Sequence, residues 1–312
     1  MILRYAHLRR HRGVFRSVTG LRVAEFDTLV ADLLPAYAVG ERARLQRPSR
    51  QRAIGAGHPF ALAPRDQLLL AVVWLRVYPT HEVLGYLFGV SDTTATRLIA
   101  CWLPLLEAAG RDTMRLPDPG RKRRRRRDAL LAATPDLAAI LDTFERRVQR
   151  PRDRAAADAL DSGKKQRHTR KVRVTIDAVT GVIADVADGV PGPTADVTLA
   201  ERSGVLDRLP PGVGARGDLG YPGLDRLHPL GATPRRKPRG RDRPPEDVAD
   251  NRAFARRRIG VEHTIGQVRS FRSRSQTDRH HRRHHSSRVR AVAGLVNRRL
   301  RRLVAYRERL AA

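Results

Sequence analysis

Apolar residues recur at three- and four-residue spacing between about residues 20 and 50, at Val23, Phe26, Leu29, Val30, Leu33 and Leu34. That period predicts an amphipathic helix, with Pro35 close to its end because proline cannot continue the backbone ladder. GAGHPFALAP at 55–64 reads as a loop. The stretch DQLLLAVVWLRVYPTHEVLGYLFGVSDTTATRLIACWLPLLEAAG at 66–110 predicts helix, turn and helix. Further along the period shortens: LAAIL at 137–141 and VRVTI at 172–176 predict buried strands, and AVTG at 178–181 a turn into VIADVA. PRRKPRGRDRPPED at 234–247 is a polar, proline-rich insertion, with a long helix expected from near Asp250 through VEHTIGQVRSF. A basic, histidine-rich stretch follows. A last helix from about Ser287 puts Val289, Val292, Ala293, Val296, Leu300 and Leu303 on one face.

The punctuation within 66–110 is specific. Thr80 can cap a helix through Glu82, Val83, Leu84, Leu87 and Phe88, Gly89 permits the left-handed turn that ends it, and Ser91 caps the next helix. Two helices joined in this way have helix-turn-helix geometry, whose second helix presents Asp92, Thr93, Thr94, Thr96 and Arg97 outward, within reach of phosphates and base edges. The same spacing suits an ordinary helical hairpin whose Leu84, Leu87, Val90, Leu98 and Ile99 fill a core.

Charge favours a polyanionic partner. Among 312 residues, 62 Lys and Arg stand against 32 Asp and Glu, a formal net charge of +30, and cationic contacts to phosphate supply most sequence-independent affinity for nucleic acid. A membrane is the weaker reading, because the most apolar run, LLLAVVWL at 68–75, ends at Arg76 and is too short to span a bilayer. The N-terminus has no signal-peptide core, and Cys101, the only cysteine, can form neither an intramolecular disulfide nor a cysteine-based zinc site. A cytoplasmic, nucleoid-associated protein is expected. RKRRRRR at 121–127 marks a boundary, since seven adjacent cations extend into solvent or onto phosphates.

Against this charge three acids occupy unusual places. Asp142 ends LAAIL, where an unpaired carboxylate is costly to bury. Asp218 follows VGARG and precedes LGYPG, a strand-to-loop transition whose glycines let the backbone approach a ligand closely. Glu262 borders the Val261, Ile265 and Val268 stripe, with Gly266 one turn later leaving space beside it. Taken singly, each has a plain structural role: Asp142 as a cap, Asp218 as a turn former, Glu262 as a partner of Arg258 on a solvated face. Together they suit hard cations, which take carboxylate oxygens and complete their shell with water and substrate phosphate.

Six blocks in order resemble a known family: DTFERRVQRP (142–151), DSGKKQRHT (161–169), PGPTAD (191–196), GDLGYPG (217–223), VEHTIGQVRSF (261–271) and AVAGLVNRRL (291–300). They look like the DDE-superfamily transposases of bacterial insertion sequences, relatives of the Harbinger-type endonucleases. LLLAVVWLRVYPTHEVLGYLFGVSDTTATRLI is similar to the helix-turn-helix that precedes the catalytic domain there. The resemblance covers roughly residues 60–305. It implies an α/β fold: a ribonuclease H-like core, a mixed sheet flanked by helices, preceded by an all-α helix-turn-helix domain.

The expected organisation is a helical region over 1–115 with the helix-turn-helix at about 60–106, a basic linker over 116–135, and a catalytic domain over 136–305 with a basic insertion near 234–250. The family's three metal-binding carboxylates fall on Asp142, Asp218 and Glu262. Asp142 stands on the first strand, Asp218 after the fourth and Glu262 on a helix. Two Mg²⁺ or Mn²⁺ ions are implied, as are double-stranded DNA partners, terminal inverted repeats and target, held by at least a dimer. The implied activity is DNA cleavage followed by strand transfer. Its rivals are a decayed, DNA-binding repressor of its own element and an endonuclease that does not join.

Lys164, Lys165, Arg167 and His168 are expected to border the acids and hold phosphates, or else to form a solvated basic strand edge. Histidines 280, 281, 284 and 285 in RHHRRHH invite a metal site. The arginines between them favour a tail that contacts the DNA backbone.

Overall fold

Proline and glycine punctuate the helices of the computed structural model, which describes residues 3–46, 48–49, 51, 53, 60–117, 138–210 and 212–311. The RKRRRRR run and nearly all of the expected 116–135 linker lie outside the described residues. Ahead of them come α1 (Tyr5–Leu8), α2 (Arg12–Thr19), α3 (Val23–Leu45), α4 (Pro64–Val77), α5 (His81–Phe88) and α6 (Asp92–Asp112). α4 begins with proline at its first position and buries every residue from Gln67 to Leu75, so the most apolar run of the chain is the hub of the helical region. Among the described residues no helix is long and apolar enough to cross a membrane.

Helix α3 does not end near Pro35; it runs through it to Leu45. Pro35 removes the hydrogen bond to the carbonyl of Ala31, but both residues are exposed, so water can take that carbonyl. The second half is held by Tyr37, which stacks on Trp102 of α6 with ring centroids 4.5 Å apart and hydrogen-bonds Gln67 at 3.1 Å.

The turn between α5 and α6 forms as the capping residues predict. Thr80 Oγ1 accepts from Val83 N at 3.4 Å, Gly89 takes a left-handed φ of 63°, and Ser91 Oγ accepts from Thr94 N at 3.1 Å. A Cβ on Gly85 would lie 2.5 Å from the Val90 carbonyl oxygen, so this glycine lets the turn fold back on the helix.

Beyond the basic run stand β1 (Ala138–Arg147), α7 (Arg154–Leu160), β2 (Asp161–Ser162), β3 (Arg167–Asp177), β4 (Ile183–Val186), β5 (Val190–Pro191), α8 (Asp196–Arg202), β6 (Gly214–Arg216), α9 (Leu224–Leu227) and β7 (Gly231–Ala232). Then follow α10 (Pro245–Arg269), α11 (Arg272–Ser275), a 3₁₀ turn (Arg282–His284) and α12 (His285–Ala311). The sheet runs β2-β3-β1-β6-β7, with β4 and β5 also on β3. β1 is antiparallel to β3 and parallel to β6, which is parallel to β7. This mixed order, covered by helices on both faces, fits the expected ribonuclease H-like core. β6 is the fourth of the strands longer than two residues, the place the resemblance implies for Asp218.

Strand alternation sends Ile140 and Phe144 to one face, against Val261, Ile265 and Val268 of α10 and the apolar side of α12. Ala139 and Leu141 go to the other, against Ala200, Val205, Leu206, Tyr221 and Leu224. The first of these clusters is continuous with the core of the N-terminal helices. α12 makes the joint: Asn297 Oδ1 accepts from Ile183 N at 2.8 Å, and its Nδ2 donates to Ile183 O at 2.8 Å and to Thr113 Oγ1 at 3.1 Å.

Three boundaries differ from expectation. α10 starts at Pro245, not near Asp250, because proline at its first turn and the acids Glu246 and Asp247 beside it suit a helix N-terminus. The basic insertion therefore ends inside the helix. β1 continues past LAAIL to Arg147, since β3 offers it a partner as far as Thr169. Leu303 of α12 is 45% exposed, beyond the last turn that packs on the core.

The histidine-rich stretch is folded and partly buried, not an extended tail, and among the described residues it forms no metal-holding cluster. His285 is fully buried and His280 lies against Trp74, Tyr78 and His81, with ring centroids 5.0, 5.5 and 4.9 Å away. Only His281 and His284 are exposed. Burial, and then the charges of Arg288 and His81, lower the pKa of His280 to about 4. A histidine depressed in the fold adds stability above its unfolded value, near 6.5, and loses it as pH falls toward the folded value. The thermal midpoint is therefore expected to drop between about pH 6.5 and 4, and less steeply in His280→Gln; equal slopes by calorimetry would remove His280 from the cause.

Candidate active site

Asp142 and Asp218 are brought together by register. β1 and β6 are parallel neighbours with Ile140 opposite Arg216, and each acid stands two residues further along its own chain. Neighbouring strands lie about 4.8 Å apart, so the two carboxylates emerge side by side at one level. Asp142 shares the face of Ile140, so it points toward α10. There its Oδ2 lies 3.6 Å from Nη2 of Arg258.

The Asp142 carboxyl is 19% exposed, and its pKa is raised. Burial is the main cause; the charge of Asp218 adds to it, while Arg258, the Thr143 N–H and Arg269 oppose it. Thr143 N donates to Asp142 Oδ1 at 2.7 Å, so one oxygen is held by its own strand and the other faces a cation.

Asp218 is held by its loop. Gly220 N donates to its Oδ1 at 2.9 Å and Tyr221 N to its carbonyl at 3.1 Å. The turn-forming role is thus real, and it fixes the carboxylate instead of competing with a site role. The glycines are required sterically: a Cβ on Gly217 would sit 2.7 Å from the Tyr221 ring, and one on Gly220 2.9 Å from Asp218 Oδ1 and 2.6 Å from Asp196 Oδ2.

Glu262 lies on α10 one turn beyond Arg258 and is exposed. The pairing of Glu262 with Arg258 that helical spacing suggested does not form; Arg258 turns to Asp142. Gly266 has open space where a Cβ would stand. Among the described residues no group of three His, Cys, Asp or Glu side chains is gathered as a metal cluster, and Glu262 stands exposed on the helix outside the pair. The donor set of the pair, two adjacent carboxylates whose mutual charge helps to raise the pKa of the buried one, suits a hard divalent cation.

Two acids that pair with Lys171 were not singled out from the sequence. Asp196, first residue of α8, comes beside Asp218 across Gly220 and is held by Lys171 Nζ at 2.7 Å. Glu145 stands 3.9 Å from the same ammonium and accepts from Thr169 Oγ1 at 2.7 Å. A signal existed: Lys171 and Arg173 alternate with Val172 and Val174 in a strand buried on both faces, and a buried cation requires a carboxylate. Arg173 has its own, Asp185, at 2.6 Å.

Lys164, Lys165, Arg167 and His168 do not border the acids. Asp142 pairs with Val174, whereas Arg167 lies seven residues earlier in β3, roughly 20 Å along a strand that rises about 3.3 Å per residue. Lys164 and Lys165 sit on the exposed turn that joins β2 to β3. Arg167 instead shares an open hollow with Arg147, Ser275, Gln276, Thr277 and Arg279. At the start of α6, Asp92, Thr93, Thr96 and Arg97 are exposed and Thr94 is half-buried. Asp92 Oδ1 accepts from Thr93 N at 2.6 Å, and Thr96 Oγ1 bonds to the Asp92 carbonyl at 2.9 Å and His81 Nδ1 at 2.6 Å. Among the described residues Arg97 makes no hydrogen bond or ion pair.

Comparison with known proteins agrees with this layout. The model of the DDE superfamily endonucleases matches residues 141–297, half of the chain, which contains both acids and Glu262. The model of the helix-turn-helix of those endonucleases matches residues 60–112, from the loop before α4 to the end of α6. The chain is 27% identical over 232 residues to the probable transposase for insertion sequence element IS702 of Microchaete diplosiphon, covering 74% of this chain and 79% of the relative. No solved structure matches it. With a mixed sheet that sets two aspartates side by side and a helix-turn-helix ahead of it, the chain belongs to the DDE superfamily endonucleases.

Proposed function

We propose that this protein is the transposase of an insertion sequence, which binds the terminal inverted repeats of its element, cuts DNA there and joins the freed end to a target. The observation that carries this reading is the pair Asp142 and Asp218 at matching positions on adjacent parallel strands, facing the helix that bears Glu262. The relative's name points the same way.

The chemistry is two in-line displacements at phosphorus. Water attacks at the element end, the P–O3′ bond breaks, and the strand leaves with a 3′-hydroxyl. That hydroxyl attacks a target phosphorus and displaces its 3′-bridging oxygen. Asp142 and Asp218, with Glu262 completing the set, would hold two Mg²⁺ or Mn²⁺ ions, which activate the attacking oxygen and offset the charge of the transition state. The chain's own task is to aim these carboxylates. Gly220 N holds Asp218, Thr143 N and Arg258 hold Asp142, and Arg258 balances its charge while no cation is bound.

DNA contacts are assigned to two surfaces. The first turns of α6, with Asp92, Thr93, Thr94, Thr96 and Arg97, form the recognition surface. Lys164, Lys165, Arg167 and His168, with Arg147 and Arg279 of the hollow beside them, bind backbone. The helical region over 1–115 and the catalytic region over 136–305 then divide recognition from chemistry. Both ends must be held together, so a dimer or larger assembly on DNA acts in the cytoplasm, at the nucleoid.

Purified protein with Mg²⁺ or Mn²⁺ should nick and join DNA that carries the element's inverted repeats. Cleavage without joining would leave an endonuclease, and binding without cleavage a repressor. Binding should weaken steeply with salt, and Arg97→Ala should reduce the slope of log affinity against log salt by about 1, the share of one phosphate contact. An unchanged slope in a titration would take Arg97 off the backbone.

A further inference from the structure

Beneath the histidine-rich segment lies a group of cations that the active site does not use. Arg146 of β1, Arg274 of α11 and Arg288 of α12 are 1%, 2% and 1% exposed, and His285 beside them is 0% exposed. Among the described residues one carboxylate, that of Asp278, stands with them and pairs with two of the three. Asp278 Oδ2 accepts from Arg288 Nη2 and lies 2.9 Å from Arg146 Nη1, off the hydrogen-bonding direction. Its Oδ1 accepts from His280 N at 3.1 Å and Tyr78 OH at 3.3 Å. Arg274 reaches no carboxylate: its Nη2 meets His285 Nε2 at 3.3 Å.

Three guanidiniums against one carboxylate leave two buried positive charges, and a guanidinium does not shed its proton in a protein. Uncompensated buried charge is strongly destabilising. The donors are also left over. Arg274 Nε and Nη1, Arg146 Nη2, Arg288 Nε and His285 Nδ1 are buried without a hydrogen-bond partner among the described residues. The nearby Asp188 is engaged by Arg290 at 2.7 Å. Burial, then Arg274, Arg146 and Arg288, holds the His285 pKa well below its ordinary value, so the ring adds a neutral donor and no counter-charge.

We propose that Arg146, Arg274, Arg288 and His285 enclose one small inorganic anion, a halide or an oxyanion such as phosphate. DNA phosphate cannot reach it, because all four side chains are buried. The anion ties the end of β1 to α11 and to the first turn of α12, and through Asp278 and Tyr78 to the helix-turn-helix region. It is a structural ion at the junction of recognition and chemistry, independent of whether the protein transposes.

Crystals of the full chain soaked in bromide should show an anomalous scattering peak among the four side chains. Peaks at exposed arginines only, an adventitious ion only, would overturn the proposal. In solution, replacing glutamate by chloride or phosphate at constant ionic strength should raise the thermal midpoint by about 5 °C. Arg274→Met should abolish that ion-specific rise, and an equal rise in both proteins would refute the site. Should Arg274→Met fail to fold, the bromide peak in the wild type decides alone. Chloride and phosphate compared singly then distinguish a halide from an oxyanion.

Discussion

Asp218→Asn is expected to lose DNA cleavage by at least about a thousandfold, equivalent to about 4 kcal/mol of transition-state stabilisation, while DNA affinity changes little. Asparagine keeps an oxygen to accept from Gly220 N, which lies 2.9 Å from the native Oδ1, so the loop survives and only the charge is removed. Retained cleavage in a single-turnover assay would mean that the reaction occurs elsewhere. Asp142→Asn should be equally inactive, with a different effect on stability. The pKa of Asp142 is raised in the fold, chiefly by burial. A carboxyl raised in this way contributes stability below its unfolded value, and that contribution is lost as pH rises through the folded value. At neutral pH the ionised group therefore weakens the fold. The asparagine variant should melt above the wild type at pH 7, with the gain fading as pH falls to the ordinary carboxylate range. A lower midpoint at pH 7 would show that the ion pair with Arg258 outweighs the burial.

Gly294→Ala is expected to be severely destabilising. α6 and α12 cross where a Cβ on Gly294 would lie 2.3 Å from the Cα of Gly110, and one on Gly110 would lie 2.4 Å from the Arg290 carbonyl oxygen. Both obstacles are backbone, so no side chain can swing aside. The helices must separate, and the packing of α12 on β4 of the sheet goes with them. Overpacking of this type costs about 3 kcal/mol or more, which lowers the thermal midpoint by about 10 °C. Gly40→Ala is the control, since Gly40 lies in α3 with nothing within 4 Å of the added Cβ. It should stabilise by up to about 1 kcal/mol through helix propensity. Similar melting of the two variants would mean that the crossing is looser than the contact requires.

The helix-turn-helix was legible because its signals are local. Thr80, Gly89 and Ser91 set the ends of two helices through their own backbone and the next few residues, and no distant partner alters that. The strand containing Asp142 was legible for a similar reason, although only pairing with β3 carried it to Arg147. Pro35 misled because its cost depends on whether the freed carbonyl meets water, which exposure decides. The histidine-rich stretch misled because composition states charge and not burial. His280 packs inside only because Trp74, Tyr78 and His81 arrive from about two hundred residues away.

The candidate site divides in the same way. From the sequence alone, Asp218 was an acid held in a glycine-rich turn, Asp142 an acid at the end of an apolar run and Glu262 an acid beside an apolar helical stripe, with a family resemblance to join them. Their chemistry and order were set by the residues themselves. Tertiary structure alone decided that Asp142 and Asp218 stand at one level, that Arg258 answers Asp142 and not Glu262, that Asp196 arrives beside Asp218, and that Arg167 and the turn carrying Lys164 lie far from the acids. The physical reason is reach: caps, turns and periodicity act over a few residues, while strand register and the placement of a buried charge depend on partners the chain brings back from afar.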